Sequence, residues 1–121
     1  MPEATDLAAF IHDTFRSVWT LELLLFLKEH AATAWQNDSL VLALRASDVV
    51  VSNSVESLLA AGLVLKDKRG AQYAPATQDL GDLVEEAQRL YVRKPDAVRR
   101  MIASQPSNLA AFSDSFRLKR D

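Results

Sequence analysis

The chain has 121 residues, 49 % of them hydrophobic and 25 % charged, which is apolar mass enough for one packed domain and too mixed in sign for a disordered one. It holds no cysteine, two histidines and three glycines, which excludes disulfides, thiolate metal sites, cysteine nucleophiles and glycine-rich phosphate loops. The start, Met-Pro-Glu-Ala, has no basic region typical of a secretory leader, and the longest apolar run, Leu23 to Leu27, is far short of the ~20 residues that span a bilayer. The expectation is a soluble cytoplasmic protein with no membrane partner, no metal and no cofactor, and not an enzyme.

The net charge of −2 conceals a polarity. Residues 1–60 carry three basic side chains against eight acidic ones, and residues 61–121 carry eleven against eight. The basic residues gather at Lys66/Lys68/Arg69, from Arg89 to Arg100, and from Arg117 to Arg120. Such a distribution suits a molecule that turns one face to an anionic partner.

In chain order, Leu7, Ile11, Phe15 and Val18 form one apolar stripe at helical spacing, which predicts a helix over 7–16 capped by Thr5 or Asp6. Ser17 caps a second helix over 18–32, apolar nearly all round and therefore the buried centre of the domain, with Leu24 and Leu27 in the core. Trp35 to Ser39 reads as a turn, with Asp38 or Ser39 capping a short helix over 40–45. Ser47 caps the next helix, whose inward positions are Val51, Val55, Leu58 and Leu59, and Gly62 stops it. Leu63 to Lys66 and Ala71 to Ala74 read as two strands about an Asp67-Lys68-Arg69-Gly70 turn. Thr77 caps a helix over 79–92, and Pro95 opens another over 96–104. Leu109, Phe112, Phe116 and Leu118 are too apolar for a free tail, so that segment folds back on the first helix or docks onto another chain.

Single polar and aromatic residues read as structural. Trp19 and Trp35 fit core and turn packing, His12 a solvated face, and His30 the C-terminal end of a helix, where the dipole favours a cation. Glu85, Glu86, Asp79 and Asp82 lie on a polar helix face with nothing apolar to make them a catalytic pair.

The order helix, helix, short helix, turn, helix, hairpin, helix resembles a winged helix-turn-helix. At residue level, Leu40 and Leu44, then Ser47, then Val51, Val55 and Leu58, then Ala60-Ala61-Gly62-Leu63-Val64, resemble the MarR/PadR-like group of winged-helix transcriptional regulators over residues 18–75. The resemblance implies a mainly α fold with a small two-stranded β-hairpin. It divides the chain into an N-terminal helix (1–17), a winged helix-turn-helix core (18–76) and C-terminal helices (77–121) for dimerisation or partner docking. It further implies a DNA-binding transcriptional regulator, a homodimer on double-stranded DNA with half-sites about one helical turn apart. The groove-facing side of the recognition helix would be Asp48, Val49, Ser52, Asn53, Glu56 and Ser57, with Ser47 at its cap, and the wing would offer Lys66, Lys68 and Arg69 to phosphates.

Two departures matter. No Arg or Lys lies between Val49 and Ala61, so the arginine–guanine contact is missing, and Arg45 stands where the family often has glycine. The neutral recognition helix and acidic N-terminal half support an alternative, a winged-helix module that binds another protein, such as a second regulator, instead of DNA.

Overall fold

The computed structural model describes residues 4–103, so the apolar segment Leu109 to Leu118 lies outside the described residues. The chain forms α1 (Ala4–Thr14), α2 (Val18–Glu29), α3 (Asn37–Leu44), α4 (Asp48–Ala60), β1 (Val64–Asp67), β2 (Gly70–Tyr73), α5 (Gln78–Arg93) and α6 (Pro95–Ala103). Among the described residues the protein is mainly helical with one two-stranded antiparallel sheet, and no described helix is long and apolar enough to cross a membrane.

Local chemistry sets most of the boundaries. Ser17, Ser47 and Thr77 have extended backbones, and their side-chain oxygens accept hydrogen bonds from the backbone N–H groups of Thr20 (3.3 Å), Val50 (3.2 Å) and Leu80 (3.1 Å). Each satisfies an N–H that the first turn leaves without a partner. Pro95 is the first residue of α6, where its missing N–H costs nothing. Gly62, just after α4, has φ 76°, the left-handed conformation expected of it.

Three helix boundaries differ from the sequence reading by a full three residues. α1 begins at Ala4, so Thr5 and Asp6 lie within the helix and not before it. α2 ends at Glu29, with the His30 N–H bonded to the Phe26 carbonyl. α3 begins at Asn37 after Gln36, which makes no side-chain cap bond, so Asp38 and Ser39 sit in the first turn.

The segment 35–39 is also not a simple turn. Trp35 and Ala71 exchange two backbone hydrogen bonds of 2.8 Å, forming an antiparallel bridge on the free edge of β2. The hairpin, with Val64 opposite Tyr73 and Asp67 opposite Gly70, is thereby joined to the residue that leads into α3. A two-stranded ribbon is at best marginal alone, and this third contact anchors it. Gly70 allows the approach: it has φ 123°, and a Cβ there would lie 2.2 Å from the Trp35 carbonyl oxygen.

The core is one apolar cluster centred on α2 as expected, with Leu21, Leu23, Leu24 and Leu27 buried. α2 packs most extensively on α4, through Val51, Val55 and Leu58, and also on β2. α2 is not buried all round, however, since Leu25 and Phe26 are half-buried and Trp19 is 42 % exposed. α1 packs against α5 and α6, and Ile11 and Phe15 of its stripe are fully buried within this one chain.

Leu24→Ala is expected to cost roughly 2–5 kcal/mol by urea denaturation, as a large-to-small core change does. Gly70→Ala is expected to be more damaging than Gly62→Ala. Both force a left-handed residue, but a Cβ on Gly62 would meet only side chains at ordinary contact distance, 3.5 Å from Ala76 and 3.7 Å from Leu80. The Gly62 change should cost about 1–2 kcal/mol from backbone strain alone. Thermal melts of the two variants check the order.

Candidate functional site

α4 lies across the domain with one side against α2 and α3. Its exposed positions are Asp48, Val49, Asn53, Glu56 and Ala60, and Val49, Asn53, Glu56 and Ala60 recur at helical spacing as one outward stripe. Val49 is 67 % exposed. No cation stands on this stripe, while Asp48 and Glu56 carry negative charge beside and on it.

Of the three serines expected at the groove, Ser47 precedes α4 and Ser52 and Ser57 lie within it, and each has a different task. Ser47 is held by its capping bond. Ser52 turns partly inward, where its Oγ accepts a hydrogen bond from Asn37 Nδ2 (3.3 Å) and ties α4 to the start of α3. Ser57 is half-buried at the rim of a groove of about 440 Å³ between α4 and the start of α2, together with Asn53, Glu56 and Arg16. Thus Asn53, Glu56 and Ser57 share one region, and Ser52 serves the α3–α4 contact.

The floor of that groove is a hydroxyl chain. Ser17 Oγ lies 3.3 Å from Thr20 Oγ1, which lies 3.3 Å from Ser54 Oγ, and Thr20 and Ser54 are both only 2 % exposed. These hydroxyls satisfy one another inside an otherwise apolar α2–α4 contact, so their burial is tolerated. Arg16 was not expected here. The sequence places it at the end of the first helix, and its position directly before the Ser17 cap is the only local hint that it sits beside α4.

On the β1–β2 hairpin, Lys66 and Lys68 are exposed, and neither ammonium has a partner among the described residues. The Lys68 carbonyl accepts from Gln36 Nε2 (2.9 Å), a second tie between the hairpin tip and the base of α3. Arg69, read from the sequence together with the two lysines as a phosphate contact, has a partner within the hairpin itself. Its guanidinium pairs with Asp67 at 3.0 Å, and the Asp67 carboxylate also accepts from the Arg69 N–H at 2.8 Å. Bonding to Arg69 holds the Asp67 carboxyl below its usual range. The pair largely cancels, and the hairpin's net positive charge resides on the two lysines.

A second polar cluster joins α2 to α5 and α6. Tyr91 Oη donates to Glu22, and the Arg99 guanidinium stands 5.7 Å from the Tyr91 ring centre and 3.2 Å from Asp96. Trp19, read from sequence as a packing residue, instead lines an open cavity of about 370 Å³ here with Glu22, Ala43, Leu44, Tyr91 and Arg99. Trp35 does pack as expected, edge-on to Phe26 at 4.8 Å, with His30 5.4 Å away. Glu85 and Glu86 are paired with cations: Lys28 bridges to Glu85 at 2.7 Å and Arg89 to Glu86 at 2.7 Å. No group of three or more metal-ligating side chains occurs among the described residues.

Both tyrosines are held above the ordinary phenol value, Tyr73 by burial and then by the charge of Glu85, Tyr91 by burial and then by its bond to Glu22. Phenols raised in the folded state favour folding fully below pH ~10, and this contribution is lost as pH rises through their folded values. An ultraviolet absorbance titration is therefore expected to show both phenols of the folded protein ionising above the ordinary value of about 10. A phenol ionising at the ordinary value in the folded protein would contradict the assignment. Comparison of the chain with protein-family models, curated proteins and solved structures finds no match.

Proposed function

We propose that the protein is a DNA-binding transcriptional regulator that acts through a winged helix-turn-helix made of α2, α3, α4 and the β1–β2 hairpin. The observation that carries this reading is the uncovered face of α4 beside a hairpin hydrogen-bonded at two points to the base of α3. At 13 residues α4 is about 20 Å long, a rod that a major groove admits. The helix would lie in the groove with Asn53 toward base edges, where an asparagine can pair with adenine. Lys66 and Lys68 would meet the flanking phosphates. Ser47 and Ser52 support the helix, and Glu56 can contribute only as an acceptor, for instance from a cytosine amine. The regulator would act as a homodimer through surfaces other than the α1 stripe, which the chain already buries.

One observation favours a second reading, a winged-helix module that docks a protein. The outward stripe of α4 has an exposed valine, a carboxylate and no cation, which is chemistry better suited to a protein surface than to phosphate.

Fluorescence anisotropy with labelled duplexes across a salt series separates the two. Lys68→Ala should weaken binding equally on all sequences and lower the slope of log affinity against log salt by about one. Arg69→Ala should do less, since Asp67 already neutralises Arg69, and Asp67→Asn should raise affinity by releasing that cation. Asn53→Ala should lose about 1–3 kcal/mol on a preferred sequence and little on a random one. An unchanged slope in Lys68→Ala would favour the protein-docking reading.

A further inference from the structure

The connection between α3 and α4 holds the one backbone conformation among the described residues that a side chain opposes. Arg45 has φ 55° and ψ 41°, and every other described residue at positive φ is a glycine. In this left-handed region the Cβ crowds the neighbouring carbonyl, and glycine is the residue that fits without strain. The position closes α3, since the Arg45 N–H bonds to the Val41 carbonyl, so the conformation itself is needed, but the arginine is not needed to make it. Its side chain is exposed and has no hydrogen bond or ion pair with any described residue.

Two residues later Ser47 caps α4. Arg45 therefore stands at the N-terminal end of a helix whose own outward stripe has no cation. Lys66 and Lys68 supply charge on the hairpin, and Arg45 is the only basic residue between α3 and the end of α4. We infer that Arg45 is a nucleic-acid contact: its guanidinium binds a backbone phosphate where the N-terminal end of α4 enters the groove, and the strain at this residue is tolerated for that contact. The inference rests on the DNA-binding reading above and deepens it by assigning a cation that α4 lacks.

A purely structural role is the competing explanation. α3 has no basic residue in its last turn, and a cation at its C-cap interacts favourably with the helix dipole. The two explanations predict different variants. If Arg45 served only α3, glycine and lysine substitutions would alter stability and leave nucleic-acid binding alone.

The test uses the full chain, a labelled random-sequence duplex, and the variants Arg45→Gly and Arg45→Lys. Arg45→Gly is expected to melt at or above the wild-type temperature, because it relieves the left-handed strain. It should nevertheless bind more weakly, by about eightfold at 0.1 M salt, with the salt slope reduced by about 0.9, the counterion-release value for one phosphate contact. Arg45→Lys should keep the wild-type slope, since a phosphate accepts either cation. Wild-type binding that Arg45→Gly leaves unchanged in affinity and slope would overturn the inference and leave the DNA-binding reading standing. A lysine variant as weak as the glycine variant would also overturn it. Failure of the wild-type chain to bind any duplex would overturn the DNA-binding reading itself, and the inference with it.

Discussion

Residue 70 has no room for a side chain, and the placement of the hairpin depends on that. The Trp35 backbone occupies the volume a Cβ would take, and only this approach lets Trp35 and Ala71 exchange their two hydrogen bonds. The same contact sets Trp35 against Phe26 on α2 and leaves Gln36 in reach of the Lys68 carbonyl. α3 starts immediately afterwards. A two-stranded ribbon cannot set its own direction, so the position of Lys66 and Lys68 relative to α4 comes from these ties together with the packing of β1 on α4 and of β2 on α2.

The second determinant is the contact between α2 and α4. Leucines of α2 and valines of α4 exclude water there, and apolar contact alone is tolerant of sliding. The Thr20–Ser54 pair is not tolerant, because a shift of either helix would leave a buried hydroxyl without its partner. With Asn37–Ser52 on the α3 side, this pair fixes the rotation of α4. Asn53 and Glu56 therefore face outward and Ser52 does not. Under the proposed reading, the cations that meet DNA surround α4 and do not stand on it.

The terminal helices complete the unit from the other side. α1, α5 and α6 pack on one another, and α5 is joined to α2 by Tyr91–Glu22 and by Lys28 to both Glu85 and Gln88. Removing one partner from these half-buried contacts would leave a polar group poorly solvated, which gives them more effect than exposed pairs such as Arg99–Asp96. The first and last described helices thus belong to the same core as the central helices.

The sequence by itself determined the features that depend on a few neighbouring residues. Ser17, Ser47 and Thr77 cap helices, Gly62 ends one, Pro95 opens one, and Gly70 closes the hairpin, because each acts on backbone groups within about four residues. The periodic burial of Ile11, Phe15, Val51, Val55 and Leu58 was legible for the same reason. Tertiary structure alone decided what requires two distant segments to meet. Trp35 became a strand partner because Ala71 lies beside it, and Trp19 stayed exposed because α3 and α5 leave a cavity above it. Ser52 was drawn toward Asn37, and Arg16 came to lie beside Asn53. The Arg69–Asp67 pair is close in sequence, yet only the realised turn geometry brings its charges to 3.0 Å. Periodicity says which face of a helix is apolar, but not which polar residue on the other face finds a partner, since that depends on the side chains of elements folded from elsewhere in the chain.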